Sequence, residues 1–263
     1  MIGTFHVVCA YFKMIRKKME GIGSSDIFLE AGLIGSGSVT GVMTGKHYSR
    51  ATHFHKILLE ALERLLFEEF CFSLGEERPM MGLPDDSFEL LKTLVDEPDN
   101  ASFESALNNE DISSYIDAYV KFRHDARTGH LGKTAHLWVS YMDHIWLVLQ
   151  LTKAVKTNNF LLYARCLFLM CDIFFRFGGQ NYARYLTFFS VFFANIEISH
   201  PGATYLLKWG AISVARSFVP GNRCPVDKTI EETFMKHSKS HGGGSGGLSG
   251  LLSNYDAYQR CVL

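Results

Sequence analysis

The 263-residue sequence contains no Cys-x-x-Cys pair; its six cysteines (Cys9, Cys71, Cys166, Cys171, Cys224, Cys261) are scattered along the chain. That argues against a zinc site or a disulfide framework and suits reduced, structural thiols in an intracellular protein. Net charge is also lacking, with a formal value of −1. No global field steers the chain toward nucleic acid or an acidic membrane, so only local basic faces remain for such partners. The glycine-rich piece GLIGSGSVTG (32–41) is followed by no Gly-Lys-Ser/Thr, and Gly35-x-Gly37 lacks the remainder of a dinucleotide fingerprint. Phosphate binding is therefore not supported, and the glycines read as joints between short helices, Asp26–Ala31 and Ser38–Met43. Long hydrophobic runs free of charge are missing as well. Segment 160–177 carries Arg165, Asp172 and Arg176, and segment 181–198 carries Arg184 and Glu197. A charge at a bilayer centre costs at least ~2.5 kcal/mol, so both segments read as buried helices of a protein without membrane contact. The N-terminal MIGTFHVVCAYFKMIRKKME places its basic residues after the apolar run and is not a secretory signal. The expected location is nuclear or cytoplasmic, not secreted.

What is abundant is aromatic: 21 Phe and 11 Tyr. Helical periodicity is strong over 47–72, where Phe54, Ile57, Leu58, Ala61, Leu65 and Phe72 recur on one face and Glu60–Arg64 pairs on the wet side. It resumes over 112–124, 133–155, 159–176 and 181–197. The last two are apolar nearly all round, as in the middle of a bundle. The expected fold is mainly α, a helical bundle with one or two residual β-strands near Ile2–Val8 and Ile212–Val219. The expected segments are 1–73 (strand and helix), 74–111 (a polar connection with one short helix, Ser87–Val95), 112–241 (helical core with a late acidic helix) and 242–263. The last holds the flexible linker HGGGSGGLSG and a short helix, Asn254–Gln259.

Chemistry concentrates in Arg216–Ser240, RSFVPGNRCPVDKTIEETFMKHSKS. Asp227 and Glu231 are four apart, so a helix starting near Val226 puts both carboxylates on one face. Paired acids of this kind suit Mg²⁺ or Mn²⁺, hard cations that take oxygen ligands. Equally, Asp227 reads as a first-turn acid favoured by the helix dipole. His6 sits in an apparent strand-to-helix junction, Thr4–His6, where α/β folds place chemistry; the plainer alternative is one N-terminal helix with His6 packed in it. Two local basic clusters offer surfaces for DNA: Lys46, Arg50 and Lys56, and Lys228, Lys236 and Lys239. His53 and His55, two apart, fall on different faces of a helix and make a poor metal pair.

The block GTFHVVCAYFKMIRKKMEGIGSSDIFLEAGLIGSGSVTGVMTGKHYSRATHFHKILLEALERL resembles part of a large uncharacterised family expanded in animal genomes. FRFGGQNYARYLTFFSVFFANIEISHPG, SVARSFVPGNRCPVDKTIEETFMKHSKSHGG and NYDAYQR resemble its C-terminal half. Together these pieces cover well over half the chain, in the family's order. The family's layout is similar to that of transposases with a ribonuclease-H-like core, which carry acids on two early strands and a late helix with a helical insertion between.

The resemblance implies that Gly3–His6 ends a core strand and that Asp227 and Glu231 lie on the late helix, as the metal-binding and catalytic acids together with His6. It also implies Mg²⁺ or Mn²⁺ as cofactor and DNA as partner. In the family a strand bearing another acid precedes GTFH. Nothing stands before Met1 here, and Cys261 stands where many relatives have tryptophan. The resemblance thus implies an N-terminally truncated, mobile-element-derived relative, its ribonuclease-H-like core reduced to a remnant and without catalytic activity, because two-metal phosphoryl transfer needs several converging carboxylates. A helical protein-interaction module without chemistry is the alternative, and a multi-span membrane protein through 137–198 a more distant one.

Overall fold

A computed structural model describes residues 3–75, 82–96, 99–208, 212–217, 219 and 221–236. The expected HGGGSGGLSG linker, the Asn254–Gln259 helix and Lys239 lie outside the described residues. Among those described, the chain is mainly α-helical with one small antiparallel sheet. The elements in order are α1 (Thr4–Lys18), α2 (Ser24–Glu30), α3 (Ser36–Met43), α4 (Tyr48–Ser73), α5 (Asp85–Asp96), α6 (Asn100–Leu107), α7 (Glu110–Thr128), α8 (Lys133–Lys156), α9 (Phe160–Arg176), α10 (Gln180–Ala194), α11 (Ile196–Ser199) and α12 (Ala203–Lys208). Then come β1 (Ser213–Ala215), β2 (Arg223–Pro225) and α13 (Val226–Ile230), whose axis continues as one π-helical turn, Glu231–Met235. Two compact units emerge: one from Met1–Phe54 with Trp146–Leu263, the other from His55–Ile145.

In the first unit, α1 presents Val7, Val8, Tyr11, Phe12 and Ile15 as a buried face. The spacing i, i+4, i+8 is helical from the first turn. This corrects the expected strand over Ile2–Val8: β-branched residues suggest extended backbone, but packing of α1 against α9 and α13 decides the matter. The helix lacks a local cap because Gly3 at its N-cap has no side chain to offer. α9 answers with buried Tyr163, Leu167, Met170 and Phe174, and the Tyr11 and Phe174 rings meet edge-on at 5.8 Å. The α9–α10 hairpin turns at Gly178, with φ +79°. A second glycine is fixed by space. Gly45 has φ +72°, and a Cβ there would come within 2.7 Å of the Cys9 carbonyl oxygen, so the turn after α3 packs directly on the α1 backbone.

The sheet is a hairpin pairing Ser213 with Pro225, Val214 with Cys224 and Ala215 with Arg223. β1 falls inside the expected Ile212–Val219 run; its partner is Arg223–Pro225, not the N-terminal segment. The Arg216 N–H donates to the Asn222 carbonyl at 2.9 Å and closes the hairpin. Pro225 ends β2 and enters α13 at φ −57°, which starts the late helix at Val226 as its sequence suggests.

The second unit surrounds two satellite clusters. Leu83, Ala106 and Ile112 are buried, with Leu90, Leu91, Leu94 and Tyr115 packed on them. The rings of Phe67 and Phe70 lie against Tyr115 and Tyr119 at 5.3 to 6.3 Å. The stretch expected as a largely polar connection thus holds a further helix, α6. Its start is set by Asp99, whose side chain accepts the Ser102 N–H at 2.6 Å. Beside these, Glu63, Arg123, Asp143 and Arg127 form a half-buried ion network. Arg123 Nη1 lies 2.5 Å from Glu63 Oε1, Arg123 Nη2 3.1 Å from Asp143 Oδ1, and Arg127 Nε 2.7 Å from Asp143 Oδ2. Burial pushes the Asp143 carboxyl up, but the hydrogen bonds and charges of Arg127 and Arg123 outweigh it and hold the group below its ordinary value.

One expectation about the core is corrected. α9 and α10 bury one face each, but their other faces stay open, with Leu161 66%, Phe168 61%, Phe175 62% and Phe188 70% exposed.

Candidate functional site

Three of the residues singled out by sequence converge in the first unit. Asp227, in the first turn of α13, reaches the N-terminus of α1. Its Oδ1 accepts the Phe5 backbone N–H at 3.2 Å, and its Oδ2 accepts the His6 N–H at 3.1 Å. The first four N–H groups of any α-helix have no intrahelical partner, and here a carboxylate 222 residues away serves two of them. The negative charge also faces the positive end of the α1 dipole. The arrangement needs Gly3. A Cβ at that position would collide with the Asp227 carboxylate, lying 2.6 Å from its Cγ and 2.8 Å from its Cβ.

His6 completes the cluster. Its Nδ1 lies 3.0 Å from Asp227 Oδ2, and its Nε2 lies 3.6 Å from Glu231 Oε1. The imidazole therefore stands between two carboxylates one helical turn apart. With Nδ1–H donating to Asp227, Nε2 of the neutral ring faces Glu231 as an acceptor, and only the doubly protonated ring pairs with both acids. The Asp227 side chain is 16% exposed, Glu231 37% and His6 50%, so the cluster opens to solvent on the His6 side. His6 is thus at a helix N-terminus, not at the end of a core strand.

The adjacent face of the late helix, with Lys228 and Glu232 one turn apart, is already engaged. Glu232 binds Arg216 Nη2 at 2.6 Å and Lys228 Nζ at 3.4 Å. Burial alone would push the Glu232 carboxyl up, but Lys228 and Arg216 bring it below its ordinary value. Lys228 Nζ also sits 5.1 Å from the centre of the Tyr48 ring, and the Phe5 ring meets the same Tyr48 edge-on at 5.2 Å. Lys236, Lys46, Arg50 and Lys56 are each exposed. At Cys9, further along α1, burial, with a smaller contribution from Asp227, pushes the thiol up to about 11, away from the thiolate form.

These positions fit a hard cation poorly. Both Asp227 oxygens are occupied by N–H donors, and the remaining contact of Oδ2 is the imidazole. No group of three or more His, Cys, Asp or Glu residues is arranged to hold a metal ion among the described residues. Asp227 behaves as a cap, though of α1 and not of its own helix. Sequence reasoning missed this partnership because Gly3, the residue that admits the carboxylate, carries no side-chain signal. It also missed the buried pair His55 Nδ1–Tyr141 Oη at 2.7 Å, which the spacing of two between exposed His53 and buried His55 signals only in part. No described helix is long and apolar enough to cross a membrane.

No curated protein and no solved structure matches the chain. Residues 1–259 match the family described as a domain of unknown function, DUF8702. The match spans nearly the whole sequence, both compact units and the His6–Asp227–Glu231 cluster, and the chain belongs to that family.

Proposed function

We propose that this protein is a non-catalytic, transposase-like helical protein, derived from a mobile element, in which the former position of a metal-dependent site serves as a structural clasp. The observation that carries the reading is the engagement of both Asp227 oxygens by the α1 amides. A carboxylate committed to two N–H donors and an imidazole offers a divalent cation little of its coordination capacity. Two-metal phosphoryl transfer asks for several free carboxylates converging on ions about 3.5–4 Å apart, and the further acid beside Asp227 among the described residues, Glu231, itself lies 3.6 Å from His6 Nε2. The convergence of the GTFH block with the late acidic helix supports descent from such a layout, since the resemblance pairs those same two segments. DNA is the proposed partner, through exposed Lys46, Arg50 and Lys56 on one stretch and Lys236 on another. Lys228, bound to Glu232 and Tyr48, contributes less to such a surface.

The purified chain, incubated with linear and supercoiled DNA and Mg²⁺ or Mn²⁺, tests this reading. It predicts retention of DNA that weakens as salt rises, with no cleaved or joined product. Metal-dependent cleavage that disappears in Asp227→Ala overturns it.

A further inference from the structure

The formal charge of −1 conceals a division. The residues of the first unit, 1–54 with 146–263, include 18 Lys and Arg against 9 Asp and Glu; those of the second, 55–145, include 8 against 18. The two units therefore carry formal charges of +9 and −10. A sign asymmetry of this size within one chain points to a polyanionic partner for the basic part.

Within the first unit, cations from three helices gather at one turn. α1 holds Lys13, Arg16, Lys17 and Lys18 and no acid along its length. Its C-terminal part meets the α9–α10 turn: Lys17 Nζ donates to the Phe177 carbonyl at 2.9 Å, and a Cβ at Gly179 would lie 3.2 Å from Met14 Sδ. The same turn is flanked by Arg176, the last residue of α9, and Arg184, one turn into α10, a helix that also has no acid. Lys13, Lys17, Arg176 and Arg184 are exposed. The acids on this stretch are Glu20, just after α1, and Asp172 of α9, which pairs with Arg176 at 2.8 Å. Complementing the helix dipole accounts for the basic last turn of α1, but not for Arg184 near the positive end of α10.

The burial of α1 decides between anionic partners. A basic helix that binds a membrane surface lays its apolar face into the lipid. Here that face, with Val7, Val8, Tyr11, Phe12 and Ile15, is buried in the core. What remains is charge alone, supplied by separate helices, and that is the form of contact a nucleic-acid backbone takes.

We propose that the first unit holds the phosphate backbone of duplex DNA where the end of α1 meets the α9–α10 turn, with Lys13, Arg16, Lys17 and Arg184 as contacts, and that the second unit contributes none. The inference rests on the DNA partner proposed above and adds a surface to it. Of the cations named there, Lys46, Arg50 and Lys236 belong to the first unit and Lys56 to the second.

Retention of a short mixed-sequence duplex by the full chain, followed from about 50 to 200 mM salt, tests the assignment. Lys13→Glu with Arg184→Glu weakens binding about tenfold or more and lowers the slope of log affinity against log salt by about 2, the share of two phosphate contacts. Lys13→Gln with Arg184→Gln, which adds no acid, lowers the slope in the same way. Lys121→Glu with Lys133→Glu, at exposed positions of the second unit, makes the same change in net charge as the first pair and leaves both quantities unchanged. Equal losses in the two glutamate pairs make binding a matter of net charge; they overturn this inference and leave the DNA partner standing. No retention by wild type overturns both, and so does retention on phosphatidylserine vesicles in place of the duplex, which assigns the cations to a membrane.

Discussion

Asp227 and His6 stand 221 residues apart and meet twice, through the backbone N–H at 3.1 Å and through the ring Nδ1 at 3.0 Å. The late helix is thereby fastened to the first turn of the first helix. Local sequence provides neither helix with this contact, so the stability of α1 depends on the far end of the chain.

Gly3 should be as intolerant of a side chain as Asp227 is of loss. Gly3→Ala leaves φ at −72°, an ordinary value, so any cost comes from the collision with the carboxylate. We expect a loss of about 1–2 kcal/mol, the size of a lost N-cap. In Asp227→Ala the clashing carboxylate is gone and only the 2.8 Å approach to the Cβ at 227 remains, so adding Gly3→Ala to that variant should cost clearly less than it does in wild type. Urea denaturation of the four proteins gives the coupling. Additive losses contradict the assignment.

His55 sets a pH dependence. Burial holds it neutral and pulls it from 6.5 down to about 4, while its Nδ1 pairs with the Tyr141 hydroxyl. The unfolded chain binds a proton at His55 below pH 6.5, whereas the native chain does so only near pH 4. Its contribution to stability is therefore complete above pH 6.5 and is lost as pH falls from 6.5 to about 4, to a total of about 3 kcal/mol. His55→Gln should flatten the stability profile in that window relative to wild type. Parallel profiles from pH 7 to 4 would refute the buried neutral state.

Arg123 links two acids in the second unit. Removing it leaves Glu63, whose side chain is 23% exposed, without its 2.5 Å partner. Arg123→Ala should cost about 2–3 kcal/mol, since the partly buried Glu63 carboxylate loses its ion-pair partner and the Tyr119 hydroxyl that still donates to it at 3.1 Å brings no compensating charge. Arg127→Ala, at a side chain 48% exposed, should cost under about 1 kcal/mol. Glu63→Leu with Arg123→Leu should recover much of the first loss. Thermal denaturation ranks the three, and a loss in the double variant as large as in Arg123→Ala contradicts the account.

Much of this fold was legible in sequence. The helices at 48–73, 133–156 and 160–176 follow the 3.6-residue apolar period to within a residue or two. The first helix was harder to read, because Val7 and Val8 favour strands and its cap lies at position 227. The clasp was half legible: the spacing of Asp227 and Glu231 puts them on one face, but no local feature points to the α1 amides as their destination. The open apolar positions of α9, Leu161, Phe168 and Phe175, could not be told from its core face by sequence, because both faces are apolar. Periodicity reports which faces are apolar and leaves open what covers them.

The central claim is that Asp227 holds a helix end and not a cation. It is tested most directly by the unfolding free energy of wild type and Asp227→Ala, measured in EDTA and again in 10 mM Mg²⁺. A cap predicts a difference of about 1–2 kcal/mol in EDTA that Mg²⁺ leaves unchanged. A metal site predicts the reverse, because a ligand that binds only the native state stabilises it in proportion to the logarithm of its concentration. No difference in EDTA, with one appearing only in Mg²⁺, contradicts the clasp.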